Sequence, residues 1–173
     1  EYYIVNFRNI ILEAFIWSFL WVILVSISVR IFPFTIEHDY PEDVRKVAAI
    51  KPPSGSHKLK GYIFAGLSFF ILMGMLIAFS VYEYNLYKLN IFKIFFHIWI
   101  ICMTWNMVDL IVVDWLFICL FSCKYFVLPG TEDCKGNKNY KFHAIGFVKG
   151  IFAMSILSVI CSLFSYLILR FCF

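Results

Sequence analysis

Four long apolar stretches alternate with polar segments along the chain, at about residues 10–29, 62–81, 94–121 and 144–169. Each reaches the ~20 residues that a helix needs to cross a bilayer. The runs are continuous, whereas a membrane barrel needs apolar and polar residues in alternation. Helices also satisfy their own backbone polar groups in lipid. The third stretch exceeds the minimum span and reads as one tilted helix. Between the stretches lie a long loop at 31–60, a short connection from Glu83 to Lys93, and a second long loop at 123–143. The short connection implies an antiparallel hairpin. The predicted fold class is therefore all-α: a polytopic membrane protein forming a compact bundle of four transmembrane helices, one transmembrane domain over residues 1–173. A short cytoplasmic surface helix is expected from about Pro41 to Ala49, opened by Asp39 and Glu42 in a capping-box-like pattern and stopped by Pro52 and Pro53. Leu128-Pro129-Gly130-Thr131-Glu132-Asp133 reads as a turn.

Composition agrees with that pattern. The chain is 62% hydrophobic and 15% charged, against about half and about a quarter in a soluble domain. A chain of 173 residues is too small to hide that much apolar surface in its own core. Six cysteines do not make a disulfide scaffold here, because Cys102, Cys119, Cys161 and Cys172 lie within apolar runs and no CxxC is present. They read as small hydrophobes. The net charge of +4 forms no basic stripe, which excludes nucleic acid as a partner. Its placement sets an orientation instead. Eleven of the fifteen Lys and Arg residues flank the two long loops, while Arg8, Lys88, Lys93 and Arg170 lie on the other side. The positive-inside rule then places both loops in the cytoplasm and both termini outside. Tyr2, Tyr3, Tyr82, Tyr84 and Tyr87 would form the outer aromatic belt.

Candidate chemistry centres on the third stretch. At about 100° per residue, Asn106, Asp109 and Asp114 fall within an arc of roughly 140°, together with Trp99 and Cys102, while His97 and Thr104 point the other way. Asp109 would lie near mid-membrane and Asp114 closer to the cytoplasm. A carboxylate in hydrocarbon is costly and marks a functional candidate; Glu13, at the outer end of the first span, is the other. No Lys or Arg lies deep in a span to neutralise Asp109. The stripe is a hydrogen-bond network, a cation or proton path, or part of an active site. His38, Asp39, Glu132, Asp133 and His143 gather on the same side as Asp114. They suit a divalent metal such as Zn²⁺ or an acid–base pair, although no HExxH pattern occurs. Candidate catalytic residues are Asp114, Asp109, His143 and His38, and candidate ligand-binding residues are Asn106, Trp105, Glu132 and Asp39. Gly146 and Gly150 form a GxxxG pair suited to close helix approach, and Gly61, Ala65, Gly66 and Gly74 offer thin spots on the second span.

His38-Asp39-Tyr40-Pro41, Trp105-Asn106 through Asp109 to Asp114-Trp115, and Leu128-Pro129-Gly130-Thr131-Glu132 with Tyr140 and His143 together resemble an uncharacterised family of small bacterial four-span membrane proteins. The resemblance covers most of the chain through short motifs. It implies a bacterial inner-membrane location and carries no established activity. Three functions compete on the sequence: a membrane-embedded enzyme or ligand- or metal-binding protein, an ion-coupled transporter or channel module using Asp109 and Asp114, and an assembly subunit of a membrane complex. The bilayer is the certain partner, with a second copy or another membrane protein as further partners.

Overall fold

The computed structural model describes residues 6–86 and 90–172. Tyr2, Tyr3, Tyr87 and Lys88 lie outside these residues. Five α-helices follow in order: α1 (Phe7–Ile31), α2 (Glu42–Val47), α3 (Gly55–Tyr84), α4 (Ile91–Leu120) and α5 (Tyr140–Cys172). Among the described residues there are no strands. Four helices, α1, α3, α4 and α5, are long and apolar enough to cross a membrane, which makes this a multi-pass membrane protein. They exceed the predicted spans at most ends because polar residues cap them. Asn6 accepts a hydrogen bond from the Asn9 amide, Ser54 from that of His57, and Asn90 from those of Phe92 and Lys93, satisfying donors that a helix start leaves free.

Neighbouring helices form a ring in the order α1, α4, α5, α3 and back to α1. In lipid, apolar surface gives no drive for helices to associate, so packing and cross-helix hydrogen bonds must hold them. Each side of the ring has such a bond. Trp17 Nε1 donates to the Leu72 carbonyl (2.9 Å), joining α1 to α3, and Ser80 Oγ donates to Ser165 Oγ (2.8 Å), joining α3 to α5. Trp99 Nε1 donates to Ser155 Oγ (3.0 Å) and Asn106 Nδ2 to the Phe147 carbonyl (3.1 Å), joining α4 to α5. His97 Nε2 meets Glu13 Oε2 at 2.6 Å, joining α4 to α1. A bond of this kind is worth ~0.6–2 kcal/mol. The most buried helix is α4, with 44% of its apolar window covered, against 22% or less in the other three.

The third span is one helix, as expected, but its winding changes. Ile91–Val108 is α-helical and Asp109–Leu120 is π-helical. The chain turns away just past the segment at Ser122, whose φ is 45°. In a π-helix the bonds run from i to i+5, so the α-helical spacing used to place Asp114 does not hold beyond Asp109.

The two long loops pack on one another at one end of the bundle. The Ala49 amide donates to the Pro129 carbonyl (2.8 Å) and Tyr40 Oη to the Phe126 carbonyl (2.5 Å). Gly136 lets the Asp43 carboxylate sit where a Cβ would stand. The surface helix spans Glu42–Val47, shorter than expected, with Pro41 at its N-cap and no side-chain cap. Asp39 therefore does not close a capping box, and the helix ends before Pro52 because Ala49 turns to bond the second loop. Of the expected thin spots, only Gly61 is used, accommodating the ring of Phe34; positions 66 and 74 face open space. Tyr84 departs from the expected aromatic belt: it is buried and packs edge-on against His97. Tyr82 is exposed, as a belt residue should be.

Candidate functional site

Beneath the packed loops lies a cavity of about 480 Å³. Helix α4 contributes Trp105, Asp109 and Asp114, α1 contributes Trp21, the first loop contributes His38, Asp39 and Tyr40, and α5 contributes His143, Gly146 and Lys149. The π-helical winding explains how both α4 carboxylates reach it. Asp109 and Asp114 are five residues apart, the step that a π-helical hydrogen bond spans, which brings them nearer to one face, and Val113 and Ile118 repeat that interval on the same wall. In an α-helix the two acids would diverge by about 140°.

His143 is the best-defined group of the site. Its side chain is 3% exposed, and its Nδ1 lies 2.9 Å from Asp114 Oδ1. Its Nε2 is buried and has no hydrogen-bond partner in the protein. A buried polar atom of this kind calls for a partner from outside the chain or a catalytic role. The carboxylate fixes the ring through one nitrogen and leaves the other for a ligand. Across the cavity mouth, His38 Nε2 lies 3.4 Å from Asp39 Oδ1, with both side chains exposed. Tyr40 is buried, and burial pushes its phenol well above the usual range, with the charges of Asp114, Asp39 and Asp109 adding to the rise. It is a fixed neutral donor rather than a nucleophile. The inner surface is aromatic: Trp21 and Trp105 stack at 5.3 Å, and Trp17 meets Trp21 edge-on at 5.8 Å.

Six of the eight predicted site residues thus line one cavity: His38, Asp39, Trp105, Asp109, Asp114 and His143. Asn106 does not. It faces α5, where its amide is occupied by the Phe147 carbonyl and it packs where a Cβ on Gly150 would stand. Its role is packing, and it explains Gly150 of the GxxxG pair; nothing lies within 4 Å of a Cβ placed on Gly146. Glu132 is half-buried on the second loop and is not part of the cavity lining. Among the described residues no group of three or more His, Cys, Asp or Glu is placed to hold a metal ion. The reading of these residues as a divalent-metal site therefore has no assembled ligand set among the described residues. Sequence reasoning missed Trp21 and Lys149, which carry no signal of their own within an apolar run and beside a glycine pair. It also missed the Glu13–His97 pair, whose partners are 84 residues apart.

Fold and site together define an all-α, four-span membrane protein with a polar, aromatic-walled cavity at the loop end of its bundle. Compared with family profiles, curated proteins and solved structures, the chain has no match.

Proposed function

We propose that the cavity is a membrane-embedded acid–base site that acts on a lipid or small amphiphile at the interface where the two long loops lie. The carrying observation is His143: buried, held by Asp114 at 2.9 Å through Nδ1, and unpartnered at Nε2 in the wall of a cavity. An imidazole so held can take a proton at Nε2 while the carboxylate steadies the imidazolium that results. No Ser, Thr or Cys lines the cavity. His143 is then placed to deprotonate water or a hydroxyl of the substrate, and the reaction class is water- or hydroxyl-mediated attack. Asp109 would orient the polar end of the substrate, and Trp21 and Trp105 would exclude bulk water. The eleven cations beside the loops favour a cytoplasmic site, and the family resemblance favours the bacterial inner membrane.

The test reconstitutes wild type, His143→Gln and Asp114→Asn into phospholipid vesicles and follows lipid and water-soluble products by mass spectrometry. The reading expects conversion by wild type that falls at least ~100-fold in both variants, with unchanged thermal stability. Absence of conversion by wild type, or conversion that survives in His143→Gln, overturns it.

The ion-coupled alternative draws support from Asp109, which lines the cavity. Against it, the buried Trp17, Leu72, Ile98 and Ile101 belong to the hydrophobic core between this cavity and the Glu13–His97 pair. Proton flux in vesicles that Asp109→Asn abolishes would favour this alternative over the acid–base reading.

A further inference from the structure

The cavity's charge and its opening carry the argument one step further, resting on the same acid–base site. Three carboxylates, Asp39, Asp109 and Asp114, line it against a single formal cation, Lys149. Its inner wall is a stacked indole pair, and aromatic faces together with carboxylates are the chemistry that holds an ammonium group. His143 adds a 3%-exposed side chain whose Nε2 has no protein partner, an independent sign that something from outside completes the site.

The lining reaches the surface in two places, at His38 and Asp39 on the first loop and along the flank of α5. Ile145, Gly146 and Lys149 line the cavity and are themselves exposed on the flank of α5. A Cβ on Gly146 would meet no atom within 4 Å, so the helix is notched where the cavity meets the bilayer. Gly146 lies six residues, ~9 Å, from the start of α5 at Tyr140. That depth suits a headgroup and the first carbons of its chains. Lys149, beside the notch, is placed for a phosphate.

We propose that the cavity is the headgroup site of a phospholipid bearing an ammonium group, which slides in from the bilayer past Gly146. The carboxylates would take the ammonium, Lys149 would take the phosphate, and the chains would stay in the membrane.

Native mass spectrometry of the detergent-purified chain tests this, with phosphatidylethanolamine and phosphatidylglycerol of identical chains and with soluble phosphoethanolamine as probes. Phosphatidylethanolamine should bind at least tenfold more tightly than either of the other two. Asp109→Asn should remove most of the preference over phosphatidylglycerol, and Gly146→Leu should weaken phosphatidylethanolamine about tenfold. Equal binding of the two lipids overturns the proposal, as does soluble phosphoethanolamine binding as tightly as the lipid. Asp39 lies on an exposed turn, so Asp39→Asn keeps the charge test open should Asp109→Asn fail to fold; a preference unchanged in the variant that folds also overturns it. Binding is read without turnover. Loss of the headgroup preference with conversion intact would remove this inference alone, and an intact preference without conversion would remove the acid–base reading alone.

Discussion

The two ends of the bundle each contain a carboxylate–imidazole pair, and the pairs live in different surroundings. At the loop end, Asp114 and His143 stand 2.9 Å apart in the wall of a cavity of about 480 Å³. At the other end, Glu13 and His97 stand 2.6 Å apart, with Tyr84 edge-on against the imidazole and Asn9 donating to the nearby Glu83. The hollow beside His97 is smaller, about 180 Å³, and is lined mainly by Phe7, Ile10, Phe92, Phe96 and Ile100. Both pairs bridge two helices, and both leave the second imidazole nitrogen buried without a hydrogen-bond partner in the protein; one lies beside a small apolar hollow, and the other faces polar space that a ligand can fill. The same two side-chain types therefore serve as a tie at one end and as a candidate reaction centre at the other. What separates them is the room left beside the imidazole.

That contrast can be broken in four places. The largest effect is expected from His143→Gln, which should cut turnover by ~10²–10⁴-fold while leaving thermal unfolding in detergent close to wild type. A large loss of stability without a separable loss of turnover would make the two ends equivalent. Next is the tie itself. Glu13→Gln should destabilise the bundle by about 3 kcal/mol, since breaking one partner of a buried pair strands the other, with lipid binding at the loop end preserved. A double-mutant cycle with His97→Gln should recover part of that loss. Gly150→Ala should cost about 2 kcal/mol by driving a methyl into Asn106, and Asn106→Ala in the same chain should relieve it. The smallest effect is Tyr40→Phe, about 1 kcal/mol for the bond to the Phe126 carbonyl, read as looser packing of the loops by hydrogen exchange.

Much of this architecture is legible in the sequence because lipid imposes a simple rule. An apolar run of sufficient length must be a helix, so the four spans and both long loops fall where hydropathy puts them. The site is legible to the extent that intramembrane charge is conspicuous: Asp109 and Asp114 stand out as residues that lipid would reject, and His38 and His143 as histidines gathered on the loop side beneath which Asp114 lies. What hydropathy does not encode is winding and partnership. The 100° spacing held as far as Asn106, which meets α5, and failed where α4 widens into its π-helical half. The Glu13–His97 bond depends on α1 and α4 lying side by side, which no local pattern announces. Trp21 reads as one more apolar residue until it stacks on Trp105.

The widened half of α4 has a consequence for length rather than for chemistry. Asp109 and Asp114 share a wall because they stand five positions apart in a segment whose hydrogen bonds span five residues. Removing one residue between the two acids would leave them four apart, which an α-helix also keeps on one face, whereas inserting one would set them six apart, about 120° around an α-helix, and part them with every polar side chain still in place. The chain is therefore more sensitive to added length than to identity over these twelve residues: an apolar swap at Ile111 should pass almost unnoticed, whereas an extra residue beside it should dismantle the site.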